Sequence, residues 1–435
     1  MTAAHAPVPA PFHLAGAYAP VLEERTLHEL LVEGTLPPDL RGTYVRNGPN
    51  PRGGSSPAWF AGEGMLHAVR LEDGRAAGYR NRWMKGVRGP NTNVVRHAGH
   101  VLALVEAALP VEVDAQLETI GRFDFGGGVE RSMIAHPKAC PATGELLFIS
   151  YGQSSPGLVF YRADAHGRIV HRAPVRVPAA TYMHDIAITA RHVVFWDMPV
   201  LVGDWHSPQP LRWADDYRPR IGVLPRGGQE GDVRWFDVAP AFVSHTMNAF
   251  EDGDVVVLDV VRAPRFPAAC ALHRYTLDLR TGAATERVVD PRFLEFPRVH
   301  PGREGCPYRY GYCVELSDWE TGSWQRAVAH KVDVAAGTSE VHDFGPSRLP
   351  GEFVLVPRAG GADEDDAWAI AFVCDRAREA SDLVILDAKH FAEPPVATVH
   401  LPCRVPVGLH GAWMPDETPS AGRSPSTTPR GGPSA

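Results

Sequence analysis

The chain has 435 residues, 44% hydrophobic and 22% charged, the balance of a folded protein with a sizeable core, which excludes a mostly membrane-embedded chain. A net charge of -8 offers no basic footprint for neutralising phosphates, which excludes nucleic acid as the natural partner. Six cysteines are scattered without a CxxC pair, so neither a thiolate zinc site nor a disulfide framework is expected.

Residues 1–20 are rich in Ala and Pro and read as a flexible N-terminal segment. They lack a charged start ahead of an apolar core, so no signal peptide is expected and the location is read as cytoplasmic. No run approaches the roughly 18 uninterrupted apolar residues that would cross a bilayer. Residues 21–415 read as one domain, and 416–435, almost wholly small, polar or Pro, read as a disordered tail.

Between these ends the chain repeats short apolar runs. HVLALVEA, GELLFISYG, HVVFWDMPV, GDVVVLDVV, CALHRYTLDLRTG and AWAIAFVCD follow one another without a long helical pattern. The runs are β-branched or aromatic and are punctuated by Gly, Pro and Asp clusters such as Glu251-Asp252-Gly253-Asp254. The class is all-β. Many short strands need an architecture with few exposed edges, and four-stranded blades repeated around an axis satisfy that, so a β-propeller is predicted.

Three histidines share one register within this repeat. His136, His184 and His245 each end or precede a short strand, are followed by a turn, and lead into a hydrophobic strand about nine or ten residues on. Spacings of 48 and 61 residues are each about one blade, and the 165 residues from His245 to His410 are about three. Equivalent positions in successive blades converge on the axis, so these rings are expected to meet there.

Imidazole suits iron, zinc or copper, and four neutral rings on a six-coordinate metal leave two positions open, which is what an oxygen-activating iron(II) requires. With no ligating carboxylate the site keeps the metal's full charge, and each ring needs a partner on its other nitrogen. Glu106 in HVLALVE, Glu295 in FLEFPRV and Glu352 in LPGEFVLVP are the candidates. Arginines such as Arg292 and Arg298 compete for Glu295. His67, His97, His100 and His192 are assigned plainer roles satisfying nearby polar groups. Phe60, Trp83, Trp59 and Trp413 can line a substrate passage or sit in the core.

These residues bring the chain to a family. Gly-Thr-Tyr-Val-Arg-Asn-Gly-Pro-Asn at 42–50, FAGEGMLH at 60–67, and the segments Ala135-His136-Pro137, Met183-His184-Asp185, Ser244-His245-Thr246, Glu295-Phe296-Pro297-Arg298 and His410-Gly411-Ala412-Trp413 resemble the signatures of the carotenoid cleavage oxygenases. The resemblance runs from about Arg41 to Trp413. It implies a seven-bladed β-propeller capped by loops and short helices, with Fe(2+) held by His136, His184, His245 and His410. It implies Glu106, Glu295 and Glu352 as orienting carboxylates, and leaves His136 as the ring without one. Ala61 and Glu63 depart from the family's two aspartates, and the cap between His245 and His410 is short.

The resemblance further implies dioxygen and an apolar polyene as reactants, cleaved at one carbon–carbon double bond with no catalytic acid or base beyond the metal site. Stilbene cleavers of the family carry a Lys where this chain has Val105 and a Tyr where it has Trp83, so a carotenoid or apocarotenoid is favoured over a phenolic stilbene. Phe60, Trp83 and Val105 are therefore expected in the substrate passage. Exposed apolar residues of the cap would give peripheral membrane contact for uptake of such a substrate. No obligate protein partner is indicated. The rival of another class is a propeller that only carries an apolar ligand, which retention of iron would distinguish.

Overall fold

The computed structural model describes residues 11–85, 89–151, 156–204, 207, 210–316 and 328–416. Seven antiparallel sheets of four or more strands form a β-propeller. Blade 1 spans residues 93–122, blade 2 138–175, blade 3 187–237, blade 4 242–290 and blade 5 294–343. The first strands of blades 1, 3, 4 and 5 lie towards the axis, where they touch strands of other blades.

Both ends of the described chain close the ring. In blade 7 the C-terminal strand Gly411–Pro415 pairs with Gly42–Pro49, which continues outwards through Gly64–Glu72, Arg75–Trp83 and Thr26–His28. In blade 6 the N-terminal strand Leu31–Gly34 pairs with Ala397–His400 as the outermost strand. Two blades are thus sealed by segments from opposite ends of the sequence, which removes the open edge a linear series of sheets would leave.

Burial follows distance from the axis. Leu146–Tyr151, the second strand of blade 2, is buried along its whole length, whereas the outermost strand Ile169–Val175 alternates exposed positions with half-buried or buried ones, and Ala284–Asp290 is exposed or half-buried up to Asp290. Strands covered on both faces read as continuous apolar runs, and strands with one wet face alternate. Exposed Leu31, Ile120, Val170, Val288 and Val341 all lie singly on outermost strands.

Every helix among the described residues is a single 3-10 turn, and none is long and apolar enough to cross a membrane. Outside the blades lie loops, 3-10 turns such as Phe12–Leu14, Gly16–Tyr18 and Trp59–Ala61, and a hairpin of Val200–Val202 with Leu211–Trp213 inserted into blade 3. Within the segment expected to be flexible, residues 11–20 are described, and His13, Ala17 and Tyr18 are buried there. The second glycine of the FAGEGMLH motif has a steric reason: a Cβ on Gly64 would stand 1.8 Å from the Pro90 carbonyl oxygen. The six cysteines are free thiols.

Candidate metal centre

The hydrophobic strands that follow the three registered histidines begin at Leu146, His192 and Val255, close to the predicted offset. His136 and His184 precede the first strands Lys138–Ala139 and Ala187–Ile188, and His245 lies near the start of Phe242–Asp252. His410 directly precedes the closing strand Gly411–Pro415. Blades 2, 3, 4 and 7 thus present an imidazole at the same end of the axis.

The four rings meet. One nitrogen from each lies within 4.8 Å of the others. Ring centroids of His136 stand 4.6, 5.0 and 4.4 Å from those of His184, His245 and His410, with interplanar angles of 71°, 73° and 90°. Imidazole nitrogens about 2.1 Å from a shared ion lie at most about 4.2 Å apart, so only a small contraction separates this cluster from a coordination sphere. Nε2 of His136 and of His245 is buried with no hydrogen-bond partner among the described residues, the condition of a lone pair reserved for a metal. Four neutral nitrogen donors without a carboxylate fit iron(II), as they fit other divalent first-row metals.

The remaining three blades supply the carboxylates. Nδ1–H of His184 faces Glu106 Oε1 at 2.9 Å, that of His245 faces Glu295 Oε2 at 2.7 Å, and that of His410 faces Glu352 Oε1 at 2.8 Å. Donation from Nδ1 fixes the tautomer that turns Nε2 towards the centre. His136 has no carboxylate. Its backbone is laced instead: the Asn93 side chain donates to the Ala135 carbonyl at 2.8 Å, and the Asn47 side chain donates to the Asn93 carbonyl at 2.9 Å. Asn47 also donates its backbone N–H to the His410 carbonyl at 2.9 Å, so one chain of amides sets two ligand arms.

Each carboxylate is braced differently. Glu295 accepts from Ser244 Oγ at 2.8 Å and from the Phe296 N–H at 3.1 Å. Glu352 accepts from the Gly411 N–H at 2.9 Å and from Arg298 Nη2 at 2.8 Å. Glu106 accepts from the Tyr151 hydroxyl, and the Tyr182 hydroxyl lies 2.9 Å from His184 Nδ1 while its ring stacks on that imidazole. Glu106 itself sits in a turn two residues beyond the strand His100–Leu104, rather than ending the strand.

Electrostatics follow this bracing. Burial holds His136 well below the usual histidine range, with the His410 and His184 rings adding to it, and burial pulls His410 down to about 4 against the opposing Glu352. Burial also lowers His245, yet the Glu295 charge and hydrogen bond outweigh it and leave that ring raised. Glu295 and Glu352 both stay low: burial alone would raise them, and His245 and Arg298 respectively overcome it.

Arg298 is paired with Glu352, not with its sequence neighbour Glu295, and Arg292 turns to Asp290 and His330. The register of the innermost strand of blade 5 breaks between Glu295 and Arg298, and Phe296 there adopts a left-handed backbone with φ of 54°. That break sends Glu295 to His245 and Arg298 to the next blade. It also places the Phe296 ring 5.4 Å from His410 and 6.1 Å from His245. Phe296 falls in the quoted Glu295-Phe296-Pro297-Arg298 segment and Tyr151 in a quoted apolar run, but neither carries a signal of its role there, and Tyr182 carries none at all.

The competing histidines have partners elsewhere. His67 meets the Tyr79 hydroxyl, His97 the Asp164 carbonyl, His100 meets Glu112 and His192 meets Glu251, at 2.6 to 2.8 Å. Of the residues expected in a substrate passage, Val105 is half-buried beside Glu106. Trp83 is 9% exposed, donates Nε1 to the Asn50 carbonyl at 2.8 Å and lies under Arg52. Phe60 is 52% exposed and rests on Trp59. Trp59 packs on Phe12 and Tyr18, and Trp413 sits half-buried in the closing strand. Glu63 accepts the Arg52 N–H at 3.2 Å, a local turn bond away from the four histidines.

Comparisons with known proteins agree with this architecture. The family model described as retinal pigment epithelial membrane protein matches residues 18–88 and 84–415. A carotenoid cleavage oxygenase of Mycobacterium tuberculosis is 34% identical over 93% of this chain and 97% of its own length. An isoeugenol monooxygenase of Pseudomonas nitroreducens is 30% identical over 92% and 98%. Among solved structures, the lignostilbene dioxygenase of Pseudomonas brassicacearum superposes with a TM-score of 0.86 at 28% identity, covering 95% of this chain and 100% of its own. A variant of the Synechocystis apocarotenoid oxygenase gives 0.84 at 27%, covering 92% and 98%. This chain belongs to the retinal pigment epithelial membrane protein family, the carotenoid cleavage oxygenases.

Proposed function

We propose that the chain is an iron(II) dioxygenase that cleaves one carbon–carbon double bond of a carotenoid or apocarotenoid, R–CH=CH–R′ and O2 giving R–CHO and R′–CHO. The observation that carries this reading is the convergence of four imidazoles, two of them (His136 and His245) with unpartnered, buried Nε2 atoms and three (His184, His245 and His410) braced through Nδ1 by carboxylates. His136, His184, His245 and His410 would hold the ion, and when bound it supplies the redox chemistry that lets dioxygen react with a closed-shell alkene.

The protein's own contribution is positioning. Glu106, Glu295 and Glu352 fix three ring planes, and four neutral donors leave the ion's charge uncancelled at the centre while the carboxylates stay one bond further out. The balanced reaction moves no proton, so no side chain is assigned as acid or base. Phe296 gives the neighbourhood of His245 and His410 an aromatic wall suited to a polyene.

Two relatives named for isoeugenol and lignostilbene favour a second reading, cleavage of a phenylpropanoid or stilbene. Val105 offers no ammonium for a phenol, and the Trp83 N–H is already committed to Asn50, so the polar contacts such a substrate needs are missing at both positions. These two facts favour the apolar polyene. Phe60, with more than half its surface exposed, is the residue that would touch a lipid surface during uptake.

Anaerobic loading with iron(II), followed by mass spectrometry of products from a panel of carotenoids, apocarotenals and stilbenes, tests the proposal. Paired aldehydes from a carotenoid or apocarotenal are expected. Cleavage confined to a phenolic stilbene supports the second reading, and a chain that neither retains nor accepts iron overturns both.

A further inference from the structure

We infer that Tyr151 is a positioning residue of the metal centre, its phenol setting the His184 ring through Glu106. This rests on the reading above, that the four histidines hold a metal. The three histidine–glutamate couples are unequal in what stands behind the carboxylate. Glu352 has a guanidinium and a backbone N–H, Glu295 a hydroxyl and a backbone N–H, and Glu106 only the Tyr151 hydroxyl among the described residues. Glu106 is also the one carboxylate carried in a turn rather than beside an innermost strand, next to Ala107 in a left-handed backbone. Its loop does less to hold it.

Tyr151 is placed to supply that restraint. It is 4% exposed at the end of the buried strand Leu146–Tyr151, and Ser132 ties its backbone by donating to its carbonyl at 3.2 Å. A rigid residue of blade 2 therefore holds a carboxylate of blade 1 that orients a ring of blade 3. Without the phenol, Glu106 keeps one strong partner, and its terminal torsion, which is broad by nature, is free to turn. The His184 Nδ1–H would then divide between Glu106 Oε1 and the Tyr182 oxygen, both at 2.9 Å. Two acceptors in different directions define the ring plane less well than one braced acceptor, so this arm loosens while the Glu295 and Glu352 arms do not.

Cobalt(II)-loaded protein reads this out ring by ring, because the exchangeable Nδ1–H protons of coordinated histidines appear in proton spectra as separate, strongly shifted resonances. The wild type is expected to show one such protected resonance for each glutamate-bonded ring. In Tyr151→Phe a single resonance should move or exchange faster with water, the others staying in place, and cobalt affinity by chelator competition should fall about three- to tenfold, below the effect of losing the carboxylate itself. A fluorotyrosine at position 151, which keeps the ring and strengthens its donation, should move the same resonance in the opposite sense and covers the case of a variant that folds poorly. Tyr312→Phe is the control, since its hydroxyl is buried without a partner among the described residues, and should change nothing. Tyr151→Phe with unmoved resonances and unchanged affinity, or with all of them moving together, overturns the inference. A wild-type chain that takes up no cobalt overturns the metal reading, and this inference with it.

Discussion

Glu352→Gln exchanges one oxygen for an NH2 group at almost constant volume, so its consequences report charge rather than packing. Glu352 is 2% exposed and accepts from His410, Gly411 and Arg298 at 2.8 to 2.9 Å. An amide oxygen can serve one or two of these donors, its NH2 opposes the rest, and Arg298 loses its counter-charge. Breaking a buried ion pair costs about 3–5 kcal/mol. Because the Arg298 side chain is 35% exposed, water recovers part of that, and a loss of about 2–3 kcal/mol in the metal-free protein is expected. Glu295→Gln removes the carboxylate from Ser244, a backbone N–H and His245 but strands no guanidinium, so about 1–2 kcal/mol is expected there. Both variants should weaken metal binding about 10- to 100-fold, because each frees a ligand ring to turn. Urea unfolding of the metal-free proteins and chelator competition measure the two effects. Glu352→Gln as stable as Glu295→Gln, or with wild-type metal affinity, would refute the argument.

Other expectations follow from single contacts. His136→Ala should reduce retained metal from one ion per chain to about a tenth or less while the far-UV circular dichroism stays unchanged, and full retention by elemental analysis would count against a four-histidine site. Asn93→Ala releases the Ala135 carbonyl and should weaken metal binding without touching a ligand side chain, which chelator competition checks. Gly64→Ala drives a Cβ into the Pro90 carbonyl and should cost about 3 kcal/mol or more, so a wild-type urea midpoint would contradict the close approach. Glu251 is held at about 2, burial opposing and Thr189, His192 and Arg191 overcoming it. Its folded pKa lies below its unfolded value, so its contribution is full above roughly pH 4.5 and is lost as pH falls towards 2. The stability gap between wild type and Glu251→Gln should narrow across that window, and a gap that widens on acidification would be the wrong sign.

The parts of this centre that repeat with the blades are legible in the sequence. His136, His184 and His245 share a register because the same backbone unit is used three times, and a period is visible in one dimension. Partnerships between blades leave no such trace. Arg298 stands three residues from Glu295 and in sequence is a candidate partner for it, yet a break in strand register turns it to Glu352 in the next blade. Tyr151 ends an apolar strand like any core residue, and nothing local shows that its hydroxyl reaches Glu106. The pairing of Leu31–Gly34 with Ala397–His400 is likewise invisible to a local reading, because it joins segments at opposite ends of the chain. The position of Trp83 in a motif groups it with residues of a substrate passage, and its indole N–H is spent on Asn50.

Diffraction from crystals of the anaerobically iron-loaded protein, recorded on both sides of the iron absorption edge, bears most directly on the account. One anomalous peak per chain is predicted, about 2.1 Å from Nε2 of His136, His184, His245 and His410, with no carboxylate in contact. A peak elsewhere, or one bonded to fewer than these four rings, would contradict it.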